Sequence, residues 1–484
     1  MAKEKELTQG ITVKKDEDFG EWYSQVIQKS ELADYSAVSG CIVFRPYSYE
    51  IWERIKQLMD ERIKKLGVQN AYFPLFIPES LLTKEEEHVE GFAPEVAWVT
   101  HGGNTELGER LAVRPTSETI MYDSYSKWIR SHRDLPLKLN QWNSVVRWEF
   151  KHPVPFLRTR EFLWNEGHTA FATKKEAEQE IKDILEAQKD VVHNNLALYG
   201  ITGRKSQKEK FAGAEYSMAM EHYMPSGKAI QGSDAHFDGQ NFAKAYDIKF
   251  LDKDGKSQYV WQNTWAITTR MIGVMIAVHG DDKGLVIPPR MAPTKAVIVP
   301  ILFDKTKKEV LEKCNEIKKE LEKKNLAVHL DDREEVSAGW KYNEWELKGI
   351  PIRIELGPKD LEKQQAVVVR RDTAEKEFIP LKDVSKKVND LLENMQKDLF
   401  EKSKKMMLDA IVSVKTEEEF KKVIESDKIA KAYFCNDPKE EEIIKDKYGG
   451  AKTLCSPLED SAKKGKCIFT GKEDCQIFLF CKTY

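Results

Sequence analysis

Arg147 and Glu149 stand two residues apart, and a little further on Phe162, Trp164, Glu166 and His168 recur at every second position. Successive side chains of an extended strand point to opposite faces, so this spacing predicts one face that carries rings, a carboxylate and an imidazole. Residues 143–149 and 158–168 both alternate in this way, and the link 151–157 holds Pro153 and Pro155, which suits a loop between antiparallel strands. Such a hairpin is poor core material and reads as a floor for a flat, charged ligand. Arg147 would hold a phosphate or carboxylate through paired hydrogen bonds. Phe162 would stack on a base. The plain alternative is an edge hairpin with its charges in water, and the gathering of several functional types on one face weighs against it.

Two further groups have chemistry in reach. Thr116 and Glu118 would share a face if extended, and a hydroxyl beside a carboxylate can cradle a substrate ammonium. The same residues also fit a helix start capped by Thr or Ser ahead of Ile120. Arg270 stands near the start of an apolar helix. That is unfavourable for the helix dipole unless an anion binds there too, with a snorkelling arginine as the alternative. Gly102-Gly103 and Gly232-Ser233-Asp234-Ala235-His236 lack the spacing of a phosphate loop. The first reads as a flexible flap, and a lone His236 reads as structural.

Long elements must position these residues. Ile51, Trp52, Ile55, Leu58, Met59, Ile63 and Leu66 recur at helical spacing over 48–66, and Gly67 follows as a stop. Thr173 with Glu176 predicts a capping box at the start of a second helix. Strand-like, turn-rich sequence lies between, so the first ~290 residues read as a mixed sheet with helices packed on it. Pro288, Pro289 and Pro293 mark a boundary. Beyond it, strands near 296–303, 327–330, 352–356 and 366–370 alternate with helices, which predicts a small α/β domain with a mainly parallel sheet. A charged helix over 384–407 leads to a small last segment with five of the seven cysteines.

The bulk composition sets limits. The 484 residues suggest about three domains on a prior of ~150 residues each. At 41% hydrophobic and 32% charged, the chain is an ordinary globular one. Its net charge of −3 argues against a nonspecific nucleic-acid coat but permits local basic patches. The charged start lacks the apolar stretch of a signal peptide, and no run is long and apolar enough to span a bilayer. A cytoplasmic protein with free or metal-bound thiols is the expectation.

With these residues in view, the chain resembles the prolyl-tRNA synthetases of archaeal and eukaryotic type, which are class II aminoacyl-tRNA synthetases. Arg45-Pro46-Tyr47 and the following helix look like motif 1, Arg147-Trp148-Glu149 through His168 like motif 2, and Thr268-Thr269-Arg270 like motif 3. Thr116-Ser117-Glu118 resembles the proline-recognition signature. The resemblance implies an α+β catalytic domain at 1–290, an antiparallel sheet flanked by helices that dimerises through motif 1. An α/β anticodon-binding domain at 291–400 and a small α/β C-terminal domain at 401–484 would follow. It implies ATP-dependent ligation of L-proline to tRNA(Pro) through a prolyl-adenylate, with release of pyrophosphate and AMP. Proline would lie with its ring against Phe92, Trp164 and Phe211. Its nitrogen would meet Thr116 and Glu118, with Glu166, His168 and His236 completing the pocket. Arg147 would bridge the proline carboxylate and the α-phosphate. Phe162 would stack on adenine, Arg270 would lie on the opposite face near the γ-phosphate, and Glu149, Arg158, Thr159 and Gln231 would contact ATP. Arg147 and Arg270 would be the catalytic pair, and Mg2+ would neutralise the phosphates. Glu346 and Arg353 would read anticodon guanines.

The sequence departs from the family in two places. The last domain often binds zinc through two close cysteine pairs, whereas here Glu440 and Thr470 stand where the partners of Cys435 and Cys467 are expected. Tetrahedral structural zinc wants four N or S ligands, so the expectation is a lost site with Cys435 and Cys467 as its remnant, the alternative being a site in which Cys475 and Cys481 substitute. Asp234 and Ala235 replace the small hydroxyl residues expected before His236. The stretch between His168 and Gln262 is too short for an editing insertion, which predicts no hydrolysis of mischarged alanyl-tRNA in cis.

Overall fold

The computed structural model describes residues 10–88, 95–149 and 152–484; Phe92 lies outside them. An eight-stranded sheet dominates the first part. Its order is Ser456–Pro457, Ile201–Arg204, Tyr216–Tyr223, Ala229–Gly239, Trp261–Thr268, Glu161–Phe171, Leu137–Val146 and Gln69–Asn70. Every neighbouring pair is antiparallel except the last, which is parallel. One edge strand thus comes from the far end of the sequence. Residues 169–261 build the helices Lys174–Lys189 and Asn241–Ala245 and further strands of this sheet and its surroundings.

Helices cover the face opposite the polar floor. Pro46–Lys65 buries Ile51, Trp52, Ile55, Met59 and Ile63, as the periodicity requires, and Gly67 follows with φ +82°. Lys174–Lys189 opens with the predicted reciprocal capping of Thr173 and Glu176. Arg270–His279 buries every residue from Met271 to His279. Each fully buried large aliphatic side chain contributes roughly 1.5–3 kcal/mol, so this helix is an anchor from which Arg270 projects. Gln188 reaches the floor strands from behind, donating to the Asp234 and Ala266 carbonyls at 2.8 and 3.1 Å.

Several local expectations change. The strand after the motif 2 loop begins at Glu161, so Arg158, Thr159 and Arg160 precede it; Val154 and Arg158 pair as an isolated bridge, and the Arg147 amide donates to the Arg160 carbonyl at 2.8 Å. The partner strand ends at Val146, which leaves Arg147 and Glu149 beyond it. Gly103-Asn104 is the turn of an antiparallel hairpin, Ala97–Gly102 with Thr105–Val113, and Gly103 supplies the positive φ of +64°.

The middle region is a five-stranded sheet in the order Val328–Leu330, Ala296–Pro300, Ile352–Leu356, Gln365–Arg370 and Lys376–Pro380. The first two pairings are parallel and the last two antiparallel, so the sheet is mixed where a mainly parallel one was expected. The short turn between Gln365–Arg370 and Lys376–Pro380 makes a hairpin, which has no room for a helical crossover. The helix Val384–Ala410 then leads to a four-stranded sheet, Ile411–Ser413, Ile429–Phe434, Gln476–Lys482 and Ala451–Thr453.

Candidate active site

Strand register explains how distant residues meet. Across Leu137–Val146, Glu161–Phe171, Trp261–Thr268 and Ala229–Gly239, one row runs Gln141, Glu166, Ala266, Asp234. The next runs Leu139, His168, Thr264, His236, and continues to Ser217. Asn143, Trp164 and Thr268 form a third. The alternation of Phe162, Trp164, Glu166 and His168 therefore places them along one side of a floor that also carries His236 and Asp234 about 10 Å away, two strand spacings. Gly167 occupies the opposite face, where an added Cβ would sit 2.1 Å from the Trp265 ring. The glycine lets this tryptophan pack directly beneath the floor.

A cavity of about 230 Å³ lies on the floor, lined by Thr116, Glu118, Trp164, Glu166, His168, Phe211 and His236 among others. Glu166 is its most heavily bonded group. It accepts from the Ser117 amide at 3.0 Å, Asn143 Nδ2 at 2.6 Å and Gln141 Nε2 at 3.2 Å, and lies 3.2 Å from His168 Nε2. Burial opposes its ionisation, but His168, Ser117 and Asn143 outweigh burial and hold its pKa down to about 2. Burial likewise pushes the His168 pKa down, and Glu166 and Glu118 reverse that, leaving it above its ordinary value. Ser117 is the first cap position of the helix Glu118–Trp128, yet its hydroxyl goes to Glu166 and makes no cap bond. Thr116 donates its hydroxyl to Glu118. Glu118, Glu166 and His168 bring ligand atoms within 4.8 Å of one another. Two carboxylates beside one imidazole leave the cluster net negative in either state of His168, which favours a small organic cation.

A second wall carries Phe211 and His236, with Asp234 Oδ1 3.6 Å from His236 Nε2. Phe211 stacks on His236 at 4.8 Å between ring centroids. Ser217 Oγ lies 2.8 Å from His236 Nδ1, and burial lowers the His236 pKa, which favours a neutral ring.

A second cavity of about 130 Å³ continues from the first, lined by Arg147, Phe156, Leu157, Arg158, Thr159, Phe162, Gln231, Thr268 and Arg270. Arg147, Trp164, Gln231, Asp234 and Ala266 line both. Arg147 thus stands at the junction. Its Nε donates to the Pro115 carbonyl at 2.9 Å, and its guanidinium lies 5.2 Å from the Trp164 ring and 5.5 Å from Phe162. Arg270 is half-buried, desolvation lowers its pKa, and it donates to the carbonyls of Leu157 (3.2 Å) and Gln231 (3.1 Å). Gln231 in turn donates to Asp234 Oδ2 at 2.7 Å.

All the residues predicted for this site that lie in the described chain line these cavities, apart from Glu149, which is exposed past the strand end. The sequence reading missed Gln141 and Asn143, although Gln141, Asn143 and Val145 alternate on the floor face. It also missed Lys205, Glu209 and Ser217, which lie on a separate loop and strand.

In the middle region Arg353 is nearly buried. Its NH1 meets Glu346 at 2.9 Å, its Nε meets Glu355 at 2.9 Å, and it lies 4.3 Å from the Tyr342 ring. Glu346 also pairs with Lys283 at 3.3 Å. In the last region the Cys435 and Cys467 thiols interact with each other and with Thr470. Cys475 donates instead to the carbonyls of Lys472 (3.3 Å) and Glu473 (3.5 Å).

Family models match three consecutive stretches: the tRNA synthetase class II core domain of the G, H, P, S and T group at 98–279, an anticodon binding domain at 295–391, and the prolyl-tRNA synthetase C-terminal domain at 417–484. The antiparallel sheet with its arginine-bearing strand ends and buried helix is the core of a class II aminoacyl-tRNA synthetase. The chain is 50% identical over 485 residues to the proline--tRNA ligase of Ruminiclostridium cellulolyticum, covering 100% of both. It is 48% identical over 503 residues to the bifunctional glutamate/proline--tRNA ligase of Cricetulus griseus, where it spans 33% of that longer protein. The crystal structure of prolyl-tRNA synthetase from Cryptosporidium parvum, complexed with halofuginone and AMPPNP, superposes with a TM-score of 0.95 at 46% identity, over 98% of this chain and 100% of that one. The chain belongs to the proline--tRNA ligase family.

Proposed function

We propose that the two contiguous cavities form one active site, the first for proline and the second for ATP. The chain joins L-proline to tRNA(Pro), and the observation that supports this division is the position of Arg147 between the cavities. There its guanidinium meets both the proline carboxylate and the α-phosphate. The secondary ammonium of proline sits at Thr116 and Glu118, with the buried Glu166–His168 pair behind. The ring lies between Trp164 and Phe211, and Phe92 is proposed as a third contact.

The proline carboxylate attacks the α-phosphorus and pyrophosphate leaves. The adenylate then acylates the terminal ribose of tRNA, releasing AMP. No side chain need act as nucleophile, so the protein's part is alignment and charge stabilisation. Arg147 neutralises charge growing on the α-phosphate. Arg270, fixed by the Leu157 and Gln231 carbonyls, neutralises the departing phosphates. Phe162 stacks on adenine, with Arg158, Thr159 and Gln231 around the nucleotide and Glu149 as a further contact from past the strand end. Magnesium accompanies ATP as counterion to its phosphates.

The assembly around this site is also proposed: a catalytic domain at 1–290, an anticodon-binding domain at 291–400 and a C-terminal domain at 401–484. Glu346 and Arg353 read anticodon guanines once their mutual ion pair opens. The protein acts as a homodimer, supported by Tyr35, Val38, Val43 and Tyr49, which expose apolar surface around motif 1. Among the described residues no helix is long and apolar enough to cross a membrane. A cytoplasmic location fits the seven free cysteines. For zinc, Cys435 and Cys467 with Thr470 supply only two sulfur donors, short of a tetrahedral structural set.

Thr116→Val and Glu118→Gln test the proline assignment. Each is expected to raise the proline KM in pyrophosphate exchange by about 10-fold or more while the ATP KM stays within about two-fold. A larger change in the ATP KM than in the proline KM would refute it.

A further inference from the structure

The loop at 205–214, between Ile201–Arg204 and Tyr216–Tyr223, carries Phe211 to the proline cavity. Its inner end is well tied within the catalytic sheet. The Lys205 amide donates to the Ser217 carbonyl at 2.9 Å, and the Phe211 amide donates to Ser217 Oγ at 2.8 Å. Lys205 itself is buried and pairs with Glu221 at 2.8 Å. The crest of the loop is held differently. Three consecutive residues there each find a partner in the C-terminal region. The Gln207 amide donates to Asn436 Oδ1 at 2.8 Å. Lys208 pairs with Glu442. Glu209, which lines the proline cavity, pairs with Lys452 at 3.4 Å.

The three partners are themselves firmly mounted. Asn436 has a left-handed φ of +55° just after Cys435. Glu442 lies on the helix Pro438–Lys447, which Asp437 caps through the Lys439 and Glu440 amides. Lys452 lies on the strand Ala451–Thr453, paired to Gln476–Lys482. The same region also supplies Ser456–Pro457, the edge strand beside Ile201–Arg204, so the base of the loop is fastened as well as its crest. The two chains approach so closely there that a Cβ on Gly203 would lie 2.5 Å from the Ser456 carbonyl oxygen.

We propose that the C-terminal region is a positioning device for amino-acid binding: it holds the Gln207–Lys208–Glu209 crest through Asn436, Glu442 and Lys452, and so keeps Phe211 over the proline ring. This rests on the assignment of Phe211 to proline. Charge and a hydrogen bond at the crest order the loop before substrate arrives, so the substrate does not bear that ordering cost on binding. Asn436, Glu442 and Lys452 are positioning residues and touch no substrate. Glu209 and Lys452 also line a third cavity with Arg158, Gln231 and Arg270, whereas Lys208 and Glu442 line none of the three, so the Lys208–Glu442 tie acts selectively on proline.

The test is pyrophosphate exchange by the full-length Glu442→Lys and Lys452→Glu variants, with proline and ATP titrated separately and thermal unfolding as a check on folding. The proline KM is expected to rise about 3- to 10-fold in each, and in Glu442→Lys, whose site lies outside every cavity lined by Arg270, the ATP KM and the rate at saturating proline stay within about two-fold. Adding Lys208→Glu to Glu442→Lys restores the attraction and is expected to bring the proline KM back. An unchanged proline KM, equal changes in both KM values of Glu442→Lys, or failure of the reversed pair to restore binding would overturn the proposal. If a reversal prevents folding, the neutral Glu442→Gln and Lys452→Met are read by the same criteria. Phe211→Ala separates the two readings: no rise in its proline KM refutes the placement of Phe211, whereas a rise there without one in the Glu442 and Lys452 variants refutes only the clamp.

Discussion

Glu166→Gln keeps the shape of the most heavily bonded side chain in the site and removes its charge. The fall of the Glu166 pKa from an ordinary 4.5 to about 2 corresponds to ~3 kcal/mol in favour of the ionised, folded form, at 1.36 kcal/mol per pH unit. The group is fully buried, so solvent screening takes little from this figure. The sign follows from the direction: a depressed pKa contributes stability in full above about 4.5, and the contribution is lost as pH falls through about 2. Glutamine also turns an acceptor into a donor facing the Asn143 and Gln141 amides, an unfavourable contact of ~1 kcal/mol. The variant is therefore expected to lose about 4 kcal/mol at pH 7 in urea unfolding, with the difference from the parent shrinking toward pH 3. His168 supplies an independent reading. Its folded pKa is raised chiefly against burial by Glu166, so its share of stability is present below its ordinary 6.5 and lost as pH rises through its folded value. Without Glu166, burial dominates and the imidazole should titrate below 6.5. A loss under ~0.5 kcal/mol, together with an unmoved His168 titration by NMR, would refute the reasoning.

Two more outcomes follow from the same geometry. Arg147→Ala should abolish proline-dependent exchange, while Arg353→Ala, remote from both cavities, should spare exchange and impair tRNA charging; equal losses in both assays would contradict that division. A zinc chelator should leave thermal unfolding unchanged, because Cys435, Cys467 and Thr470 do not make a four-donor set, and a drop in Tm on chelation would show that another ligand completes one.

Local signals were the most readable part of the chain. The Thr173–Glu176 capping box and the Ile51-to-Ile63 periodicity are statements about one element, and the structure repeats them. The alternation of Phe162 through His168 was legible for the same reason, since strand geometry fixes which residues share a face. The motif 2 loop was not: Arg158, Thr159 and Arg160 continue the polar pattern, but the strand starts only at Glu161, and Glu149 turns outward where the partner strand has ended. Ser117 illustrates a second limit. A serine ahead of a helix predicts a cap, yet a buried carboxylate on a strand takes its hydroxyl, because a hydrogen bond to a charged group is stronger than a neutral cap bond. The mixed central sheet was hidden because the hairpin joining its last strands carries no helical crossover. The ties from Gln207, Lys208 and Glu209 to Asn436, Glu442 and Lys452 span more than 200 residues, and no local pattern announces them.

Amino-acid-dependent exchange of pyrophosphate into ATP tests the central claim most directly. With proline, threonine, alanine and histidine offered separately to the purified chain, exchange is expected with proline and not with the other three. Exchange driven by threonine, alanine or histidine in place of proline, or none with any amino acid, would contradict the assignment of the Thr116–Glu118 cavity to proline and of the Arg147–Arg270 cavity to ATP.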